Sequence, residues 1–251
     1  MIAFISDIHS NTEALGACLE EITKLGAKRI ICLGDVIGYG PEPRKTLLTV
    51  MDVCEFSLLG NHEDGCMFYA PDFNPRARAA IEWTRDQLNR RDAPRDETMR
   101  MWKYLGEMRK EHREDGILLV HGSPKDPVKE YIVPRDANDA AKLADWFERM
   151  GEAQLCFVGH SHVPGVYLQH GEYKPPLSVD HRYVPDGQRA IINVGSVGQP
   201  RDGDPRASFA TWDGTTVGFH RVEYDFESTM RKIRAVTQLP DYLAERLAQG
   251  R

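Results

Sequence analysis

Short apolar runs, each ending on a polar or glycine-bearing turn, recur through the first two thirds of the chain. Ile2 to Ile5 runs into Asp7, Arg29 to Leu33 into Gly34-Asp35, and Phe56 to Leu59 into Gly60-Asn61-His62. Gly116 to Val120 runs into His121, and Leu155 to Val158 into Gly159-His160-Ser161-His162. Runs this short, bounded by turn residues, predict buried strands. Between them the apolar spacing turns helical. Leu15, Cys18, Leu19, Ile22 and Leu25 share one face, Ser10 and Glu13 have capping-box separation, and Gly26 is placed to stop the helix. A second helix is expected from Pro41 to about Val53. The opening therefore reads β-α-β-α-β, the order of an α/β fold.

Asn74 and Pro75 predict the start of a further helical stretch with Ile81, Trp83, Leu88, Met101, Trp102 and Leu105 as its buried positions. Asp136 to Met150 reads as another capped amphipathic helix. After His162 the pattern becomes strand-rich, over Gly165 to Leu168, Ala190 to Val194, Ala207 to Trp212 and Val217 to Val222. Residues 171–187, with Pro175, Pro176 and Pro185, predict a long loop or irregular hairpin. Helices at Glu227 to Val236 and Pro240 to Ala248 close the chain. No repeat or linker divides it, so 1–251 is expected to form one domain, with 64–113 as a helical insertion capping the site.

The composition, 41% hydrophobic and 28% charged, is that of a globular protein and excludes a disordered chain. A net charge of −6 argues against a surface that attracts nucleic acid or anionic membrane as a whole. Residues 74–113 are nevertheless locally basic, with eleven Lys or Arg against seven Asp or Glu. Cys18, Cys32, Cys54, Cys66 and Cys156 form no C-x-x-C pair and lie mostly in apolar stretches, so reduced core thiols in a cytoplasmic protein are expected. The apolar start is too short for a signal peptide or a membrane span.

The chemistry lies in the turns. Five of the nine histidines (His9, His62, His121, His160, His162) follow predicted strands, together with Asp7, Asp35 and Asn61. Sites in open α/β sheets form at that strand edge. Mixed nitrogen and oxygen donors suit transition metals better than Ca²⁺ or Mg²⁺.

In this order, Asp7-Ile-His9, Gly34-Asp35, Gly60-Asn61-His62-Glu63, His121-Gly122 and Gly159-His160-Ser161-His162 resemble the five motifs of the calcineurin-like metallophosphoesterases. Asn193 to Arg201 is similar to a segment of their small bacterial and archaeal phosphodiesterase branch. The resemblance implies a four-layer α/β/β/α sandwich of two mixed sheets with two divalent transition-metal ions at one end. Manganese is foremost, with iron, zinc, nickel or cobalt as alternatives. It assigns Asp7, His9 and His162 to one ion, Asn61, His121 and His160 to the other, and Asp35 to both. A carboxylate suits a bridge because its two oxygens can each hold a cation ~3.5–4 Å from its neighbour.

The implied reaction is hydrolysis of a phosphodiester, or also a phosphomonoester, of a small organophosphate or nucleotide by in-line attack of a metal-bridging hydroxide. Two divalent ions, two carboxylates and that hydroxide sum to about +1, which attracts phosphate oxygens. His62 matches the family histidine that serves the leaving group or stabilises charge, and Glu63 or Asp64 would orient it. Glu63 also invites comparison with serine/threonine protein phosphatases. Those carry an Asp-Arg-Gly where this chain has Gly38-Tyr39-Gly40, and an arginine where it has Leu59. The loss of that arginine pair favours a diester. Asn11, Tyr39 and Arg201 are candidate substrate contacts, with helix capping, packing and a surface ion pair as their structural alternatives. The competing functions are a nuclease on DNA or RNA, and a non-catalytic scaffold such as the retromer subunit of similar fold.

Overall fold

The computed structural model describes residues 1–68 and 73–251. One sheet holds β1 (Ile2–Ile5), β2 (Arg29–Cys32), β3 (Phe56–Ser57), β9 (Arg182–Tyr183), β11 (Ala207–Trp212) and β12 (Val217–Val222), in the order β3-β2-β1-β11-β12-β9. The other holds β4 (Glu111–Glu114), β5 (Ile117–Val120), β6 (Leu155–Val158), β7 (Gly165–Leu168), β8 (Glu172–Lys174) and β10 (Ala190–Asn193), in the order β4-β5-β6-β10-β7-β8. Both are mixed. β1, β2 and β3 run parallel, as do β5, β6 and β10, while the remaining pairings are antiparallel.

Strand alternation builds the layers, because successive side chains leave opposite faces of a sheet. Phe4, Ile31, Ile117, Leu119, Phe157, Ile192 and Ala210 point between the sheets and form the middle core. The rings of Phe4 and Phe157 stack across it at 4.2 Å. Ala3, Ile5 and Cys32 face outward onto α1 (Thr12–Leu25) and α2 (Pro43–Val53). Leu118, Val120, Cys156 and Val158 face outward onto α6 (Ala140–Arg149). The result is the expected α/β/β/α sandwich.

Several local expectations are corrected. Asn11, not Ser10, caps α1, its side chain accepting from the Ala14 N–H at 3.1 Å. α2 starts at Pro43 rather than Pro41. The helix expected from Asp136 is a 3-10 turn (Pro134–Asn138) followed by α6, capped by Asp139. The 171–187 stretch carries β8 and β9. β4, with the sequence Glu-His-Arg-Glu, has no apolar alternation to announce it, since it is a sheet edge whose side chains are all at least partly exposed.

Within 64–113, residues 69–72 lie outside the described residues. α3 (Asn61–Met67), α4 (Pro75–Leu88) and α5 (Arg95–Glu107) pack with α2 on the outer side of the first sheet. Ala80 and Trp83 also meet α8 (Tyr242–Gln249), which packs on α7 (Phe226–Arg234). No helix among the described residues is long and apolar enough to cross a membrane. All five cysteines are unpaired thiols.

Candidate metal centre

The parallel strands of both sheets deliver their following turns to one place. Asp7 and His9 follow β1, Asp35 follows β2, Asn61 opens α3 after β3, His121 follows β5, and His160 and His162 follow β6. Backbone bonds tie these turns together: Asp7 N–H to Gly34 O, His9 N–H to Asp35 O, and Gly159 N–H to His121 O, each 3.0 Å. Asp7, His9, Asp35, His160 and His162 all have φ between 49° and 64°, a left-handed region that non-glycine residues seldom occupy. Such strain persists where the surrounding structure enforces it, and here it turns the polar side chains inward.

Two clusters result, and all their acidic and imidazole members are buried. Asp7, His9, Asp35 and His162 form one, and Asp35, His121 and His160 the other, with donor atoms within 4.8 Å of one another in each. Asn61 Oδ1 joins the second, 3.2 Å from His121 Nε2. Asp35 Oδ2 is shared, at 3.4 Å from His121 Nε2 and 3.8 Å from His9 Nε2.

Each carboxylate divides its two oxygens. Asp7 Oδ2 accepts the His160 backbone N–H at 2.9 Å, and its buried Oδ1, with no hydrogen-bond partner, faces the cluster. Asp35 Oδ1 accepts the His62 backbone N–H, again at 2.9 Å, leaving Oδ2 for the shared position.

The imidazoles are oriented in a parallel way. Each metal-side histidine sets its far ring nitrogen against a backbone carbonyl: His9 Nδ1 on Ile37 O at 3.3 Å, His121 Nδ1 on Leu33 O at 3.0 Å, His160 Nε2 on Lys129 O at 3.0 Å and His162 Nδ1 on Gln199 O at 2.5 Å. A carbonyl only accepts, so those nitrogens carry a proton, and in the rings of His9, His160 and His162 the lone pairs point into the clusters. His9 Nε2 and His162 Nε2 then face each other at 3.2 Å, with Asp7 Oδ1 3.1 Å from the latter. Three acceptors converging without a donor need a cation.

Electrostatics agree. Burial pushes the His9 and His162 rings down and takes His160 to about 3, so they stay neutral and offer lone pairs. Burial works to raise Asp7 and Asp35, but His162 beside Asp7 and His121 beside Asp35 outweigh it and hold both carboxyls well below their usual range. His121 is the exception among the rings. Burial opposes its charge, yet Asp35 and then Asp7 lift it to about 9. Its extra proton is the counter-charge that a cation would displace. The donor set therefore fits divalent transition metals.

His62 lies beside this centre, buried, its ring 4.6 Å from that of His9 and 4.3 Å from that of Tyr39. Its Nδ1 is buried without a partner, and burial brings its pKa to about 4. A Cβ on Gly38, where φ is +91°, would lie 2.1 Å from that nitrogen, so only glycine leaves room for the ring. Neither Glu63 nor Asp64 orients His62. Glu63 instead accepts the N–H groups of Asp35 at 2.8 Å, Gly60 at 3.0 Å and Ile37 at 3.1 Å, fastening the β2 turn to the start of α3. Burial and the neighbouring Asp35 raise it to about 7. The half-exposed Asp64 has its nearest charge, Lys129, 4.0 Å away.

Asn11 is buried beside His9 and Tyr39, and besides capping α1 it donates to Gly198 O at 2.9 Å and accepts from Thr229 at 3.0 Å. Tyr39 does face the centre, with its ring 4.7 Å from His9. Arg201 follows the backbone contact of its N–H with His162 O and makes no ion pair among the described residues.

A cavity of about 170 Å³ opens over Asn61 and His160, walled by Tyr39, Phe73, Lys129 and Tyr131. Tyr131 stacks on His160 at 3.8 Å, and Phe73 meets His62 edge-on at 5.3 Å. The sequence reading missed Tyr131 and Phe73, whose aromatic character next to motif loops was the available signal.

The profile of the calcineurin-like phosphoesterase superfamily domain matches residues 1–216. An uncharacterized protein of Methanocaldococcus jannaschii is 36% identical, with 100% of this chain and 98% of that protein covered. The crystal structure of a metallophosphoesterase from Sphaerobacter thermophilus, also 36% identical, superposes with a TM-score of 0.82 over 100% of this chain and 99% of that one. A hypothetical protein from Pyrococcus horikoshii, 19% identical over 100% and 99% of the two chains, shares the fold at a TM-score of 0.77. The chain thus belongs to the calcineurin-like phosphoesterase superfamily, a family of metal-dependent hydrolases.

Proposed function

We propose that this protein is a cytoplasmic phosphodiesterase acting on a small organophosphate or nucleotide through two divalent metal ions, manganese foremost. The observation that carries the proposal is the Asp35 carboxylate, whose Oδ2 is reached from His9 in one cluster and His121 in the other. Asp7, His9 and His162 would hold one ion, Asn61, His121 and His160 the second, and Asp35 both. When bound, such ions supply Lewis acidity that lowers the pKa of water toward ~7 and draws charge off phosphoryl oxygens.

The chain's own residues supply the rest. His62 presents an unpartnered ring nitrogen beside the clusters, placed to donate a hydrogen bond or proton to the leaving oxygen as charge builds there, a contribution of ~10²–10⁴-fold. Phe73, Tyr39 and Tyr131 wall the chamber and narrow it around a small substrate. The diester preference rests on Tyr39 and Leu59, which stand where a phosphomonoester clamp would need arginines. A small substrate is favoured over nucleic acid because Arg85 of the 74–113 stretch, and Arg44 packed against it, are engaged internally. Arg85 donates to the carbonyls of Cys66, at 2.6 Å, and Gly65, at 3.0 Å, and Arg44 from α2 pairs with Glu97.

The test is hydrolysis of a generic aryl phosphodiester and the matching monoester by chelator-stripped protein, with Mn²⁺, Ni²⁺, Zn²⁺ or Mg²⁺ restored singly and His62→Ala alongside. Metal-dependent diester turnover that falls in the variant is the expected result. No turnover with two ions demonstrably bound would leave the scaffold function standing instead.

A further inference from the structure

Beyond Tyr39 the chamber over the metal centre meets a second cavity of about 410 Å³, the two sharing Tyr39, Asn74 and Ala77 as walls. The far side of this second cavity is α8, through Tyr242, Leu243 and Arg246, and the near side is the start of α4, through Arg76. Two guanidinium groups attend the Tyr242 ring, Arg76 at 5.3 Å and Arg246 at 5.1 Å from its centre.

Several arginines of the molecule have acidic side-chain partners: Arg29 pairs with Glu55 and Glu114, Arg90 with Asp92, Arg149 with Asp145 and Arg221 with Asp202. Among the described residues no Asp or Glu side chain pairs with Arg76 or Arg246, and Arg246 Nε donates to the main-chain oxygen of Arg251. Burial and then the charge of Arg201 lower Arg246 to about 10. Two guanidinium groups lining one cavity beside the metal centre can receive an anion, and a guanidinium fork matches a phosphate's geometry.

We propose that the substrate is a phosphodiester carrying a second phosphate group, which Arg246 and Arg76 hold on the far side of Tyr39 while the reacting phosphorus lies at the metal clusters. This rests on the proposed phosphodiesterase activity and names its substrate class. The second phosphate can be joined through an anhydride or across a sugar, and the test separates the two.

Three p-nitrophenyl esters are compared on the metal-loaded protein: that of thymidine 5′-phosphate, its 3′-phosphorylated form, and that of thymidine 5′-diphosphate. At least one of the two-phosphate esters is expected to show a KM lower than the single-phosphate ester by on the order of tenfold or more, the scale of a charge-assisted contact. Which one identifies the linkage. In Arg246→Ala, and in Arg76→Ala at an exposed position, that KM ratio should fall to about one. Equal KM values for all three esters in the wild type, or a ratio that survives both substitutions, would overturn the proposal. Failure of the phosphodiesterase reading has a different signature, no p-nitrophenolate from any ester. In that event equilibrium dialysis of inorganic pyrophosphate decides: weaker binding to Arg246→Ala than to the wild type supports the cationic subsite, and equal binding sinks it.

Discussion

Asp35 Oδ1 accepts the backbone N–H of His62 at 2.9 Å, so the carboxylate shared by both clusters also anchors the histidine beside them. Charge and position are thereby joined in one side chain. Asp35→Asn keeps an oxygen that can accept this bond but removes the anionic oxygen both clusters use. The expected outcome is loss of both ions, read by elemental analysis after dialysis, and a fall in turnover of more than about a hundredfold, beyond what loss of an outer partner costs. Retention of two tightly held ions would show that Asp35 does not bridge.

Gly38→Ala tests the seat of His62 without touching a metal-side residue. The added methyl would lie 2.1 Å from Nδ1 and would burden a φ of +91°, so the ring must move. Turnover should drop toward that of His62→Ala, within the ~10²–10⁴-fold range of a proton-transfer group, with metal content intact. The double variant should be no worse than His62→Ala, and additive losses would mean that Gly38 acts elsewhere.

The motif residues were legible because each is a polar residue closing a short apolar run. Burial of the strand then forces its last residues to the sheet edge where the turns converge. That logic gathers Asp7, His9, Asp35, Asn61, His121, His160 and His162 at one sheet edge. It failed where function comes from distant packing. Arg246 sits on a helix whose only local signal is amphipathic spacing, and its meeting with Tyr39 and Arg76 depends on α8 docking against α4. Glu63, one of the two carboxylates expected to orient His62, turns its carboxylate back to three backbone N–H groups, a use visible only once the β2 turn is folded. The packing of Asn11 is hidden for the same reason, because its partners Gly198 and Thr229 are both far away in sequence.

Glu63→Gln should expose the structural part of this arrangement. The carboxylate now accepts from Asp35, Ile37 and Gly60, and the amide's NH₂ would confront one or two of those donors. Leaving a buried donor unsatisfied costs about 1–3 kcal/mol, so the denaturation midpoint should fall accordingly. An unchanged midpoint, measured with the ions removed, would show that the turn holds without it.

Protonation supplies the last test. In the cation-free protein His121 and Glu63 both have pKa values above their unfolded ones, about 9 and about 7. For a raised pKa the stabilisation is complete below the unfolded value and is lost as pH rises through the folded one. The buried rings with lowered pKa values, His9, His62, His160 and His162, contribute slope only below about 6.5, the unfolded imidazole value. From pH 7 to 8.5 the cation-free protein should therefore lose stability as pH rises. A cation at the second cluster needs the His121 lone pair and releases its proton, so affinity should rise over the same interval by up to about tenfold per pH unit, or about 1.4 kcal/mol. Melting curves with and without Mn²⁺ at pH 7 and 8.5 should thus diverge as pH increases. Parallel shifts at both values would show that metal binding displaces no proton, and that His121 is not a ligand.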